Sequence, residues 1–219
     1  HLSTERTLGP LRIDSVLLFG LTMLPAARLE SEAAAQAWLD NAADRYGAVI
    51  NETIPRASQM PTTMQQQQPM MMMGAPPPAQ PAAPIADEPV SALQVLRVLL
   101  AAKLSKTFAQ ISPSTTLKEL VGGKSAVQNE IMGDFEKEFP GIPDNAAEVP
   151  LDELGKDIAA GYTPLGPVSK GMVDKLVSAK MPGGFGFGAV RAHLSQRWNL
   201  GNQRIEGVVL HALTMQPSA

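Results

Sequence analysis

Apolar residues recur every three or four positions over most of the chain after residue 88, which is the spacing of an amphipathic helix. The clearest case lies between Ser125 and Phe139, where one face carries Val127, Ile131, Phe135 and Phe139. Similar patterns predict further helices in segments 28–50, 90–104, 117–121, 151–158, 169–180 and 188–198. No run alternates polar and apolar residues as a half-buried strand does. The pattern therefore predicts an all-α fold.

The predicted helix at 125–139 also carries a row of acidic residues: Glu130, Asp134, Glu136 and Glu138. Because Val127, Ile131 and Phe135 point to the core, we expect these carboxylates to remain free for solvent or a partner protein.

The chain contains one long internal repeat. Residues 1–27 align without gaps to residues 193–219, at an offset of 192 residues, and fourteen positions are identical. An offset of this length is typical of tandem domains rather than of a short solenoid repeat. We expect the chain to begin inside one copy and to stop at the matching point of the next. It would then hold every part of one repeat, but in permuted order.

The composition changes sharply between residues 55 and 87, where proline, glutamine and methionine dominate and charge is almost absent. Prolines at this density remove backbone donors, and the segment offers no periodic apolar face. It is interpreted as a flexible linker. The predicted organisation is a partial preceding repeat (1–54), a linker (55–87) and a helical region (88–219).

Charge and residue usage exclude several classes of function. The formal net charge of −3 gives no excess of positive charge for binding nucleic acid. The absence of cysteine excludes disulfides, thiolate zinc sites and cysteine nucleophiles, and the histidines at 1, 193 and 211 are too scattered to predict a metal site. The apolar runs are too short to span a bilayer, so a soluble, cytoplasmic protein is expected.

One segment carries candidate chemistry, where the glycine pair Gly122–Gly123 leads into Ser125 at the start of a helix. The partial positive charge at that end of a helix would stabilise a phosphodiester on the serine oxygen. The residues alone leave a second interpretation open, in which Ser125 only caps the helix and the acidic face is merely solvated.

Enzymatic interpretations are weaker. The string GGKS matches the end of the phosphate-binding loop motif G-x-x-x-x-G-K-[ST]. That motif also needs a glycine at the position of Lys118, and no strand is predicted before it. Asp152 and Glu153 are adjacent and so point in different directions on a helix. No nucleophile-elbow motif is present. We predict no catalytic residue and no metal ligand.

The string LVGGKSAVQNEI resembles the acyl carrier domain of the fungal-type (type I) fatty acid synthase α subunit. The resemblance extends through IADEPVSALQVLRVLLAAKL, EFPGIPDNAAEVPLDEL, KLVSAKMPGG and HLSQRWNLGNQRIEGVVLHAL, and so covers most of residues 85–219. Residues 1–50 resemble the C-terminal end of a preceding carrier domain. Ala126 departs from the family, where threonine is more usual.

The resemblance implies a four-helix carrier core at 88–165 and a helical subdomain at 166–219. That subdomain lacks its last helix, which is like residues 28–50. Ser125 would receive a covalent 4′-phosphopantetheine that holds growing acyl chains as thioesters, and the domain itself would not be a catalyst.

The implied partners are a phosphopantetheinyl transferase and the ketosynthase, ketoreductase, dehydratase, enoyl reductase and acyl transferase domains of the synthase. Lys124, Glu130 and Asp134 are the candidate docking residues. A carrier for a polyketide pathway and an unmodified helical scaffold remain as alternatives.

Overall fold

The computed structural model describes residues 28–52, 54, 56 and 86–215. In these ranges the elements are α1 (Glu32–Ile50), α2 (Ala92–Lys103), a 3₁₀ helix (Phe108–Gln110), α3 (Leu117–Val121), α4 (Ser125–Glu138), α5 (Leu151–Ala159), α6 (Pro167–Lys180), α7 (Phe187–Trp198) and α8 (Asn202–Ala212). The β pairing among the described residues is one isolated bridge, Thr116 to Pro150. The all-α prediction is confirmed. Residues 1–27 and most of the predicted linker lie outside the described residues.

Short polar signals set where three of the helices begin. The Ser31 hydroxyl accepts a hydrogen bond from the backbone N–H of Ala34 and so caps α1. Ser91 and Gln94 form a reciprocal capping box at α2. Thr116 and Glu119 form another at α3. These bonds satisfy donors that the first turn of a helix otherwise leaves unpaired.

The helices form two groups that share one apolar core. In the first group, α2 packs against α5 and α4, and α4 also contacts α3. In the second group, α8 packs against α7 and α6, and α1 packs against α7 and α8. The α4–α6 and α2–α8 contacts join the groups. The domain boundaries at 165 and 166 remain a prediction, although they fall between these two groups.

A buried carboxylate joins α4 to the start of α6. The Glu138 side chain accepts backbone N–H bonds from Gly166 at 3.0 Å, Val168 at 2.8 Å and Ser169 at 2.9 Å. It also accepts hydroxyl bonds from Tyr162 at 2.6 Å and Ser169 at 2.5 Å. Burial, and then the bond to Glu138, raise the pKa of Tyr162. Glu138 therefore caps a helix other than its own.

The expectation that Glu138 stays free was wrong, because only 1% of this residue is exposed. It lies two turns after Ile131 and three residues after Phe135, on the buried face of α4. The acidic residue type suggested solvent, whereas its spacing from these apolar residues indicates the core.

A second buried titratable group lies where α1, α2 and α8 meet. His211 packs edge-on against Phe108, with ring centroids 4.8 Å apart, and lies 6.3 Å from the Tyr46 ring. Burial, and then the positive charges of Arg45 and Arg97, lower the pKa of His211 to about 4. This histidine is neutral in the folded protein near neutral pH.

We predict that Glu138→Ala lowers the free energy of unfolding by about 3 kcal/mol, because it leaves buried donors without an acceptor. Urea denaturation measures the loss. Glu136→Ala on the exposed side of the same helix is the matched control and should stay within about 0.5 kcal/mol of the parent. Equal effects of the two substitutions would contradict this role of Glu138.

We predict that His211 makes the fold less stable as the pH falls. In the unfolded chain His211 binds a proton below its ordinary pKa of 6.5. In the folded chain it binds that proton only below about pH 4. The resulting decrease in the free energy of unfolding reaches about 2 kcal/mol near pH 5. His211→Phe should remove this part of the pH dependence in denaturation curves measured near pH 7.5 and pH 5. Parallel pH dependence in parent and variant would contradict the prediction.

Candidate functional site

Two glycines turn the chain out of α3 and into α4. Gly122, the C-cap of α3, has φ of 59°, and Gly123 has φ of 79°, both in the left-handed region. A Cβ atom added at either position would meet nothing within 4 Å. Backbone conformation rather than lack of space therefore favours glycine here.

Ser125 is the first residue of α4 and is exposed. The cap of the helix is Lys124, whose side chain makes no capping bond. Ser125 is therefore the first helical residue and not the cap, so the simple capping interpretation was wrong. A capping role for Ser125 would require the helix to begin at residue 126. The turn at Gly122–Gly123 instead leaves Lys124 as the cap, so the helix begins at Ser125.

The backbone around Ser125 presents unpaired donors. The first bond of the helix runs from the N–H of Gln128 to the carbonyl oxygen of Lys124 at 3.0 Å. The N–H groups of residues 125–127 precede that bond, and in an α-helix they have no partner within the helix. They give this end partial positive charge and favour an anion beside the Ser125 hydroxyl.

Two of the acidic residues that follow Ser125 on α4, Glu130 and Asp134, pair with a lysine of α2. The Lys103 ammonium lies 2.9 Å from a Glu130 carboxylate oxygen and 2.6 Å from an Asp134 oxygen. Burial would lower the pKa of Lys103, but the neighbouring Asp134 and Glu130 carboxylates outweigh this and raise it. We expected these two carboxylates to remain free for solvent or a partner. Both instead pair with Lys103, because α2 brings its last residue against α4; Asp134 is largely covered, whereas Glu130 stays exposed.

Charged side chains near Ser125 remain accessible to a partner protein despite these ion pairs. Lys124 is exposed beside Ser125, and 64% of the Glu130 side chain remains exposed despite its ion pair. Only 22% of the Asp134 side chain is exposed. Sequence reasoning missed Lys103, since no local signal shows that the end of one helix lies against the middle of another.

The other residues considered for catalysis or metal binding do not form a common site. His193 is hydrogen-bonded to Asp40, and His211 is buried among aromatic rings; His1 lies outside the described residues. The described residues contain no group of three or more His, Asp or Glu side chains placed to hold a metal ion. Asp152 accepts a hydrogen bond from the backbone N–H of the adjacent Glu153.

No helix in the described part of the chain has the length and apolar character needed to cross a membrane. A cleft of about 240 Å³ lies between the segment before α2, the segment before α6 and helix α8. Its lining includes Pro89, Tyr162 and Gln203, but none of the predicted site residues. The candidate site is therefore a protruding serine rather than a pocket.

The chain is similar to the α subunits of fungal fatty acid synthases. It is 49% identical to the fatty acid synthase subunit alpha of Schizosaccharomyces pombe over 140 residues, which are 64% of this chain and 8% of that protein. It is 50% identical to the subunit of Penicillium patulum over 140 residues, with the same shares. For Saccharomyces cerevisiae the identity is 47% over 138 residues, 63% of this chain and 7% of that protein.

The chain thus spans less than a tenth of the length of these curated relatives. A family comparison covers much more of the chain itself. Residues 1–53 and 86–219 both match the family described as the fatty acid synthase subunit alpha acyl carrier domain. Taken with the all-helical fold and the serine exposed at the start of α4, this match shows that the chain belongs to the acyl carrier domain family of the fatty acid synthase α subunit.

Proposed function

We propose that Ser125 is the attachment point for 4′-phosphopantetheine and that the domain carries growing fatty acyl chains between the catalytic sites of a synthase. The observation that carries the proposal is the exposed hydroxyl at the first residue of α4, within a chain that belongs to this carrier family.

The residues present fit a covalent phosphodiester. The Ser125 oxygen would form a bond to the coenzyme A phosphorus that bears the pantetheine arm, the bond from that phosphorus to the oxygen of the departing 3′,5′-ADP would break, and the hydroxyl proton would pass to a base of the transferase. The unpaired N–H groups of the first turn of α4 would stabilise the resulting negative charge. The arm supplies a thiol for thioester formation, and the chain has no cysteine that could supply one.

The proposed partners are a phosphopantetheinyl transferase and the ketosynthase, ketoreductase, dehydratase, enoyl reductase and acyl transferase domains of the synthase. The names of the relatives support a synthase context, while the activity of a whole synthase remains a proposal for this chain. Lys124, Glu130 and Asp134 are proposed to dock these partners through charge. A cytoplasmic location, a non-catalytic role and a tandem arrangement of carriers remain predictions.

Two alternatives make different predictions. A carrier in a polyketide pathway would have the same modification, so only the attached acyl groups distinguish it from a carrier in fatty acid synthesis. An unmodified scaffold would leave Ser125 untouched. The relatives support the fatty acid pathway, since those compared above are all named fatty acid synthase subunits.

We predict that incubation with coenzyme A and a phosphopantetheinyl transferase adds one phosphopantetheine to the parent chain and none to Ser125→Ala. Intact-mass spectrometry measures the addition, and peptide mapping places it. No addition to a parent chain that is folded and helical by circular dichroism would contradict the carrier function and favour the scaffold.

The same assay tests docking. Glu130→Gln removes an exposed charge and should slow loading at low salt, with the difference shrinking at high salt as charge attraction is screened. Glu136→Gln, which removes a charge from the same helix outside the proposed docking set, is the control. An equal loading rate for parent and Glu130→Gln would contradict the docking role of Glu130.

We predict that Ser125→Ala is neutral for stability, within about 0.5 kcal/mol, because Ser125 does not cap its helix. Thr116→Ala should lower the free energy of unfolding by about 1 kcal/mol, because Thr116 does cap α3. Chemical denaturation of both variants measures this contrast. A loss at Ser125 as large as the loss at Thr116 would show that the hydroxyl has a structural role.

A further inference from the structure

Lys103 lies against two acidic residues on the part of α4 that follows Ser125. Glu130 and Asp134 are one helical turn apart, so their side chains lie on the same side of the helix. The Lys103 ammonium comes from the last turn of α2 and donates a hydrogen bond to Glu130 at 2.9 Å. It also lies 2.6 Å from an Asp134 oxygen. One cation therefore contacts both acids.

The two acids hold this cation in different ways. The Asp134 Oδ2 atom is buried, and among the described residues it accepts no hydrogen bond. A covered carboxylate needs a nearby positive charge, and the Lys103 ammonium supplies it. The Glu130 side chain is 64% exposed, so solvent can balance its charge. Asp134 thus keeps the ammonium in place beside a carboxylate that a partner can reach.

The ion pairs of Lys103 differ from a buried ion pair elsewhere in the fold. Arg204 lies 3.2 Å from Glu52 and 3.3 Å from Glu88, and only 5% of its side chain is exposed. The Lys103 side chain is 26% exposed. An ion pair near the surface adds little to stability and opens readily, because water stabilises the separated charges nearly as well. The main effect of Lys103 is therefore on the charge of the surface.

This surface is less acidic than the sequence of α4 indicates. Lys124 and Lys103 are positive, and Glu130 and Asp134 are negative, so the four side chains together carry no net charge. The carboxylate that remains most accessible, Glu130, has a cation 2.9 Å away. A basic partner therefore meets a carboxylate whose attraction is already reduced.

We propose that Lys103 is a specificity-determining residue of the carrier domain: its ammonium competes with cationic side chains of partner proteins for Glu130. An isolated lysine on a partner gains little, because it replaces a contact that Glu130 already has. A cluster of arginines gains more, since a guanidinium can bind a carboxylate through two parallel bonds. Lys103 thus restricts docking to partners with a densely basic surface. The inference rests on the proposed carrier function and adds a residue of α2 to the docking face.

Lys103→Met tests this competition, because it removes the charge and keeps an unbranched side chain. The variant should bind a hexaarginine peptide roughly threefold more tightly than the parent at low salt. Titration followed through the amide NMR signals of residues 125–134 measures the affinity at this surface. The difference should shrink at high salt, where the attraction between charges is screened.

Lys137→Met is the matched control. Lys137 is exposed in the last turn of α4, so this variant has the same net charge as Lys103→Met but keeps the ammonium beside Glu130. Its affinity for the peptide should stay close to that of the parent. Equal gains from both variants would show an effect of net charge alone and would overturn the inference. The absence of a gain from Lys103→Met would overturn it as well.

A second variant covers the case in which Lys103→Met does not fold, since that change leaves the covered Asp134 carboxylate without its cation. Lys103→Met combined with Asp134→Asn removes both charges and has the same net charge as the parent. It should bind the peptide more tightly than the parent, by a smaller factor than Lys103→Met, because the charge of Asp134 is also lost. Equal or weaker binding by this double variant would contradict the competition.

The loading reaction connects the competition to the carrier function. With coenzyme A and a phosphopantetheinyl transferase, Lys103→Met should lower the KM for the carrier and leave kcat unchanged, because docking changes and the reaction at Ser125 does not. Damage to the fold would slow loading, so a lower KM cannot arise from it. An unchanged or higher KM would overturn the role of Lys103 in docking.

The two experiments separate this inference from the proposed function. The peptide titration does not depend on modification of Ser125 and can be repeated in Ser125→Ala. A parent chain that is not loaded would contradict the carrier function, whereas a titration without the expected gain would contradict the role of Lys103.

Discussion

The relation between the two groups of helices depends on one buried carboxylate. Glu138 ends α4 and accepts five hydrogen bonds from the start of α6 and the tyrosine before it. A charge in the core is tolerable only when donors replace its lost water, and this carboxylate has such donors on both oxygens. Because the bonds are directional, they fix where α6 begins relative to α4, and α6 in turn contacts α8. Together with the α2–α8 contact and the shared apolar core, these bonds position the second group of helices.

The same helix carries Ser125, the proposed attachment residue, at its other end. Helix α4 is fourteen residues long, which corresponds to about 20 Å from its start to its end. Ser125 therefore lies at the exposed end of a helix whose opposite end is held in the core. This separation suits a carrier, since large partner surfaces can approach the serine while the anchored end keeps the helix in place. Lys103 adds support along the length of the helix by pairing with Glu130 and Asp134.

Much of this architecture follows from local sequence. The apolar spacing of 125–139 placed α4 to within a residue, and the glycine pair before Ser125 indicated the turn that the backbone makes. Capping residues such as Thr116 mark helix starts in the same local way. The family resemblance, rather than the spacing alone, singled out Ser125 as a modification site, because an exposed serine at a helix start is common.

What sequence could not provide depends on tertiary contacts. The sequence predicted an exposed Glu138, because most of the hydrogen-bond donors to its carboxylate lie at the start of α6, far along the chain. The pairing of Lys103 with two acids of α4 required knowledge of how α2 lies. The placement of α1 was the hardest case, since this helix precedes residues 55–87 in the sequence and yet packs against α7 and α8, which follow them.

The meeting of Glu52 and Glu88 at Arg204 also bears on how this sequence can change over evolution. The Arg204 guanidinium donates hydrogen bonds both to Glu52, which precedes the proline- and methionine-rich stretch, and to Glu88, which follows it, so the residues on the two sides of the stretch lie close together. The entropy of closing a flexible loop grows only with the logarithm of its length, about 0.6 kcal/mol for each doubling. The contacts at Arg204 therefore depend on the charges of the residues at the two ends, Glu52 and Glu88, and not on the number of residues between them.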